Sequence, residues 1–325
     1  MLSIKKGKQK IIIILGPTAS GKSDLAVRLA KKFNGEIISA DSRQVYRGMN
    51  IGTGKITKRE MRGVRHHLLD VANPKRRFHA KKYRILAQTA IDEIVSRGKL
   101  PIICGGTGFY IDAVLSDNPF PNVPPNTKLR KKLSKKSPAQ LLLILKKLDQ
   151  KRAKAILESN SERKNARRII RAIEIALNGK KELVGRPHPS RHARESHLRD
   201  RRPGTSNHDQ YSTFFIGIKP DRDELRERIN SRLLKRLEQG MVHEARQLHR
   251  NGLSWKRMDE LGLEYRYLAK YLQGKMSREE MVKKLNTEIW HYARRQKTWW
   301  RKDARVKWLR PEEVDKMEKA VAACN

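Results

Sequence analysis

The sequence predicts an α/β protein: a parallel sheet with helices on both faces, and a block of helices inserted into it. Two observations carry this. Short apolar, β-branched runs alternate with stretches of helical periodicity from residue 10 to 108, and the pattern resumes from 214 to 309. Between these stretches, after the proline-rich connector at 118–127, the chain turns to Lys/Arg-rich helices as far as about residue 178. The expected organisation is an α/β core at 1–121 and 213–325, with an inserted helical domain at 122–212.

The first strand is Lys10–Leu15, short and β-branched as a strand buried on both faces must be. It breaks into Gly16, Pro17, Thr18, Ala19, Ser20, Gly21, Lys22 and Ser23, which satisfy G-x-x-x-x-G-K-[ST]. Leu25, Ala26, Leu29, Ala30 and Phe33 then recur at helical spacing. Strand, glycine loop and helix start therefore follow in the order that a phosphate-binding loop requires, and the fold is P-loop NTPase-like. The loop amides and the helix N-terminus point at one spot, Lys22 adds a full charge, and the Ser23 hydroxyl is placed to hold Mg²⁺.

Glu36 to Ala40 reads as a second strand ending at Asp41, and residues 66–71 as a further short one. Residues 79–97 carry a helical stripe closed by Gly98, and Leu100 to Cys104 is a buried strand followed by Gly105, Gly106, Thr107 and Gly108. Ligands of such sheets bind beyond the carboxyl ends of the strands. Gly16–Ser23, Asp41 and Gly105–Gly108 are thus delivered to one rim. In the insertion, helices are expected at 128–147, 150–158 and 161–178, the last closed by Gly179. Residues 185–210 have almost no apolar side chains and read as a disordered basic loop; its four histidines lack metal-ligand spacing. After the strand at 214–218, Asp221 with Glu224 and Ser277 with Glu280 are candidate capping boxes for helices to about 238 and 302, and 304–309 is a last strand.

The chain has 325 residues, 74 Lys plus Arg against 34 Asp plus Glu, and a net charge of +40. Nucleic acid is the partner such a balance favours. No run approaches the ~18 apolar residues of a membrane span. The start leads directly into the first strand, and Cys104 and Cys324 are too few and too far apart for a disulfide framework. A cytoplasmic protein, acting as a monomer, is expected.

Asp41 heads the segment Asp41-Ser-Arg-Gln-Val-Tyr-Arg-Gly-Met-Asn-Ile-Gly-Thr-Gly-Lys55. By itself an Asp after a strand is a helix cap, a Mg²⁺ partner or a base. Arg228 and Arg232, four apart, share a helix face. The segment resembles the tRNA dimethylallyltransferase family, bacterial type, as do Gly16–Ser23, Pro101–Tyr110, Asn165–Glu174 and Ala293–Arg301. The resemblance implies transfer of a dimethylallyl group from dimethylallyl diphosphate to the exocyclic amine of the tRNA adenosine 3′ of the anticodon. It implies Asp41 as base and Thr107 as a group that steadies the leaving oxygen. Gly16–Ser23, Arg228 and Arg232 would hold the diphosphate, with Mg²⁺ on Ser23. Asp41, Ser42, Arg43 and Gln44, then Arg130, Arg167, Arg168 and Arg171, then Arg294, Arg295, Lys297 and Arg301 would hold the anticodon stem-loop. The competing reading of the phosphate loop is a nucleotide or small-molecule kinase with a helical lid. A further one is a non-enzymatic RNA-binding protein with a nucleotide switch.

Overall fold

The computed structural model describes residues 9–116, 120–121, 123–159, 162–184, 211–301 and 303–313. The chain divides into two compact units, Met1–Asp117 with Ser206–Asn325, and Asn118–Thr205.

The first unit holds a six-stranded parallel sheet in the order β3-β2-β4-β1-β5-β6. The strands are β1 (Gln9–Leu15), β2 (Gly35–Ser39), β3 (His66–His67), β4 (Leu100–Gly105), β5 (Tyr211–Ile218) and β6 (Val306–Leu309). Ile13 pairs with Ile103 on one side and Phe215 on the other, so the centre of the sheet is isoleucine-rich and buried. Helix α1 (Lys22–Lys32) buries Leu25, Ala26, Val27, Leu29 and Ala30 against the sheet, starting from Gly21 at φ +88°, a conformation that costs glycine nothing. Helix α2 (Lys58–Met61) is a capped single turn; α3 (Ala80–Ser96) and α4 (Gly108–Leu115) follow.

The second unit comprises α5 (Thr127–Leu133), α6 (Pro138–Leu148), α7 (Gln150–Glu158) and α8 (Ala166–Val184) around Leu141, Leu145, Ile156, Ile169 and Ile173. The first unit then closes with α9 (Arg222–Glu238), α10 (Met241–Arg250), α11 (Trp255–Leu261), α12 (Leu263–Leu272) and α13 (Arg278–Trp300).

Several boundaries differ from the sequence reading. The strand expected at 66–71 stops at His67, because Leu68 and Asp70 take left-handed backbone angles, φ +64° and +57°. The helix expected at 128–147 is two, since Ser137 caps a new helix with Pro138 at its first turn. The helix expected at 161–178 starts at Ala166 and continues through Gly179 to Val184: the helix formers that follow offset the cost of about 1 kcal/mol that a mid-helix glycine carries. Strand β5 begins at Tyr211, inside the range assigned to the insertion. Asp221 makes no capping hydrogen bond, whereas the Ser277–Glu280 box is complete. The loop at 185–210, with its histidines, lies outside the described residues, as does Cys324.

Candidate active site

The three strand ends meet as expected. Ala40 N–H donates to Cys104 O at 2.8 Å, and Thr107 N–H donates to Ala40 O at 3.1 Å, which ties the end of β2 to the glycine loop after β4. A Cβ on Gly105 would collide with the Ala40 backbone, so only glycine allows this approach. Ser42 N–H then donates to Thr107 Oγ1 at 3.1 Å and sets Asp41 beside that hydroxyl. Asp41 Oδ1 accepts from Arg43 N at 2.8 Å and Gln44 N at 3.3 Å, an Asx turn that fixes the carboxylate.

Asp41 lines a cavity with Thr18, Lys22, Ser23, Arg43, Gln44 and Arg232. Lys22 Nζ donates to Pro17 O at 3.1 Å. Burial lowers its pKa and Arg232 adds to this, while Cys104 and Asp41 oppose it. Burial and the neighbouring Arg236 likewise lower Arg232, whose Nη2 donates to Gly54 O at 2.9 Å. Arg228 lies beside Gly21 at the loop mouth and pairs with Glu224 at 2.5 Å. Arg43 and Gln44 are anchored, Arg43 Nη1 on Ser42 O and Gln44 Nε2 on Gly54 O. Cys104 is a buried thiol pushed up to about 11 by burial, and so stays protonated and unreactive.

The basic residues of α13 open onto a neighbouring cleft of about 380 Å³. Arg294, Lys297 and Arg301 line it with Lys219, Arg222, Trp290 and Pro17 of the phosphate loop. Burial lowers Lys297, and Lys219 and Arg301 add to the effect. Arg295 faces the Tyr292 ring at 5.9 Å. Trp300 is core, Trp299 is half exposed and donates to Asp112 Oδ2 at 2.9 Å, and Trp290 stacks near Arg226.

In the helical unit three of the four predicted arginines have carboxylate partners. Arg130 holds the buried Glu174 with two hydrogen bonds of 2.7 Å, and Arg171 adds one at 3.1 Å and another to Val123 O at 2.8 Å. Arg168 pairs with Glu162, while Arg167 is exposed.

Sequence reasoning passed over three groups, Glu244, Arg236 and Gln296. Glu244 accepts from the amides of Asn50, Ile51 and Gly52 at 2.7–2.9 Å and from Tyr265 OH at 2.7 Å, fixing the loop that carries Thr53. Arg236 donates to Gly52 O at 2.9 Å and pairs with Glu264; its spacing of four from Arg232 and eight from Arg228 was the available signal. Gln296 accepts from Thr18 N at 2.9 Å and donates to Gly106 O at 3.0 Å, bridging the two glycine loops. Tyr292, one turn earlier, lines the cavity.

The model of the family described as IPP transferase matches residues 44–303. The chain belongs to this family. A tRNA dimethylallyltransferase 1 of Geotalea uraniireducens is 40% identical over 304 residues, 92% of each chain. Among solved structures, the tRNA isopentenylpyrophosphate transferase of Bacillus halodurans is 34% identical with a TM-score of 0.68, covering 97% of this chain and 96% of its own. A eukaryotic dimethylallyltransferase acting on tRNA shares the fold at a TM-score of 0.77 and 24% identity, over 97% of this chain and 78% of its own. Like those bacterial relatives, this IPP transferase family member is matched along nearly its whole length.

Proposed function

We propose that the chain transfers a dimethylallyl group from dimethylallyl diphosphate to the exocyclic amine of the adenosine 3′-adjacent to the anticodon of a tRNA, releasing diphosphate. The observation that carries this reading is an anchored carboxylate, Asp41, in one cavity with Lys22 and Ser23 of the phosphate loop. Asp41 and Thr107 are joined through the Ser42 amide, over a phosphate loop. The names of the relatives supply the substrate class.

An adenine amine is a weak nucleophile, because its lone pair is delocalised into the ring. Asp41 takes the amine proton as the carbon–nitrogen bond forms. The bond from carbon to the bridging oxygen breaks, and negative charge grows on the diphosphate. Lys22, Arg232, the loop amides and the Thr107 hydroxyl stabilise that charge where it develops. The target base must leave its stack to reach the cavity, and Arg43 and Gln44 stand beside Asp41 to meet it.

Mg²⁺ fits this donor set as a partner of the substrate. Among the described residues no group of three or more His, Cys, Asp or Glu could hold a metal unaided. The Ser23 hydroxyl and Asp41 do line one cavity, and Mg²⁺ binds readily to few protein oxygens plus phosphate oxygens and water. Bound there, the ion would neutralise charge on the diphosphate.

The cleft cations Arg294, Lys297 and Arg301 would take tRNA phosphates. The enzyme would act as a cytoplasmic monomer; among the described residues no helix is long and apolar enough to cross a membrane.

The test is mass spectrometry of tRNA after incubation with the purified chain, dimethylallyl diphosphate and Mg²⁺, without ATP. One dimethylallyl group should be gained on adenosine. An absolute need for ATP would favour a kinase. Asp41→Ala should slow transfer by roughly 10²–10⁴-fold with tRNA binding nearly unchanged. A loss within about threefold would remove Asp41 from the role of base.

A further inference from the structure

Arg232 lines the cavity with Lys22 and Ser23. Among the described residues no carboxylate pairs with it; its Nη2 donates instead to a backbone carbonyl, Gly54 O, at 2.9 Å. A Cβ on Gly54 would collide with the guanidinium, so the close approach needs glycine, which also takes φ +58° at this turn. The aim of Arg232 therefore depends on where the loop 50–54 puts one carbonyl. The same oxygen accepts from Gln44 Nε2 at 3.2 Å, and Gly52 O, two residues back, accepts from Arg236 Nη1 at 2.9 Å.

The loop in turn hangs on Glu244, in the first turn of α10. Oε2 of Glu244 accepts from Asn50 N at 2.8 Å and Ile51 N at 2.7 Å. Oε1 accepts from Gly52 N at 2.9 Å and Tyr265 OH at 2.7 Å. An ionised carboxylate offers about four lone-pair sites. Here two donors fill each oxygen, so Glu244 has nothing left to offer a substrate. A neutral amide could not replace it, because its NH₂ would face two donors. Burial, and then the charge of Glu244, raise the Tyr265 phenol well above its ordinary value, so it stays protonated and donates. A Cβ on Gly52 would meet the Tyr265 ring at 2.7 Å, so loop, tyrosine and carboxylate are packed as one unit.

We infer that Glu244 is a positioning residue for the diphosphate end of the reaction: by holding the amides of 50–52 it fixes the Gly54 carbonyl that aims Arg232 at the diphosphate. With one N–H spent on Gly54 O, the guanidinium keeps its other donors for phosphate oxygens. A guanidinium already aimed needs no reorientation as charge develops. This rests on the prenyl-transfer reading above. Glu244 itself touches neither substrate.

The test is a double-mutant cycle on Glu244 and Arg232 with two readouts. One is affinity for inorganic diphosphate with Mg²⁺, by titration calorimetry; the other is the saturating single-turnover rate of transfer. Glu244→Gln should lower both about tenfold, as the loss of a hydrogen bond to a charged group does. Affinity for tRNA, set by phosphate contacts elsewhere, should stay within about twofold. Arg232→Ala should slow transfer roughly 10²-fold. In the Arg232→Ala background, Glu244→Gln should cost no more than about twofold further in either readout, because the group it aims is gone. Tyr265→Phe removes one of the four bonds and spares the three amides. It should cost about threefold, again only while Arg232 is present, and carries the cycle should the Gln variant fail to fold. Fully additive losses would overturn the inference, since Glu244 would then act independently of Arg232. A folded Glu244→Gln variant that binds diphosphate as wild type does would overturn it too. A wild-type chain that shows the cycle in diphosphate affinity yet transfers nothing would uphold the positioning role and overturn the prenyl-transfer reading instead.

Discussion

The arginines of the helical unit and the cations of the α13 cleft look alike in the sequence and differ in what they hold. Arg130 and Arg171 converge on the fully buried carboxylate of Glu174, and Arg168 pairs with Glu162. Lys219, Arg222, Arg294, Lys297 and Arg301 line one cleft, and among the described residues none of them has a carboxylate partner. The first set neutralises charge that the fold has already buried. The second set is left unneutralised: burial first, and then the neighbouring charges of Lys219 and Arg301, lower the pKa of Lys297. A basic composition is therefore a poor measure of nucleic-acid affinity until the internal carboxylates are subtracted.

The sharpest way to break this contrast is at Glu174. Glu174→Ala leaves two guanidiniums facing an emptied buried site and should destabilise the helical unit by about 3 kcal/mol, read by denaturant unfolding. A loss under about 1 kcal/mol would mean the arginines are as free as those of the cleft. Next in size, the triple Ala variant of Arg294, Lys297 and Arg301 should flatten the log–log salt dependence of tRNA affinity by roughly 0.7–0.9 per residue, with little change in unfolding. An unchanged slope would place tRNA elsewhere. Arg171→Ala should do the reverse, lowering stability and leaving the slope alone.

Arg167 is the smaller test, an exposed arginine in the paired region. Arg167→Ala should remove about 0.7–0.9 of slope if it meets a phosphate, and should not move the unfolding midpoint. The smallest effect belongs to a third paired cluster. Burial would raise Glu36, but hydrogen bonds from Arg97, His67 and Lys99 hold it down at about 2. A carboxylate depressed in the folded state adds stability above its unfolded value and loses it as pH falls through the folded one. The difference in unfolding free energy between wild type and Glu36→Gln, about 1–2 kcal/mol near pH 7, should shrink steadily from pH ~4.5 to pH ~2. A difference that stays constant over that range would show that Glu36 packs rather than pairs.

The contrast also explains what was legible in the sequence. The strand–loop–helix at 10–33 was readable because periodicity and a glycine loop are local signals, and the rim that joins Asp41 to Gly105–Gly108 followed from sheet topology. Pairing is not local. Glu174 meets Arg130 across 44 positions, and Glu244 reaches the amides of 50–52 across more than 190. No spacing rule reports such contacts. Where a short-range signal did exist, as in the fourfold spacing of Arg228, Arg232 and Arg236, the sequence reading used two of the three. Left-handed residues such as Leu68 escaped for another reason: nothing in a leucine announces that its backbone will turn.

The Gln296 bridge bears on how this chain can change by mutation. Its amide occupies the space that a side chain at position 106 would need, and it spends the Thr18 N–H that a phosphate loop could otherwise offer a ligand. Positions 106 and 296 are therefore one inherited choice rather than two. A mutational scan that varies them singly should find only losses at both. Pairs with a small residue at 296 would make room for alanine at 106, and should recover folding without recovering the bond between the loops. The route from this sequence to one with a side chain at position 106 thus runs through position 296 first.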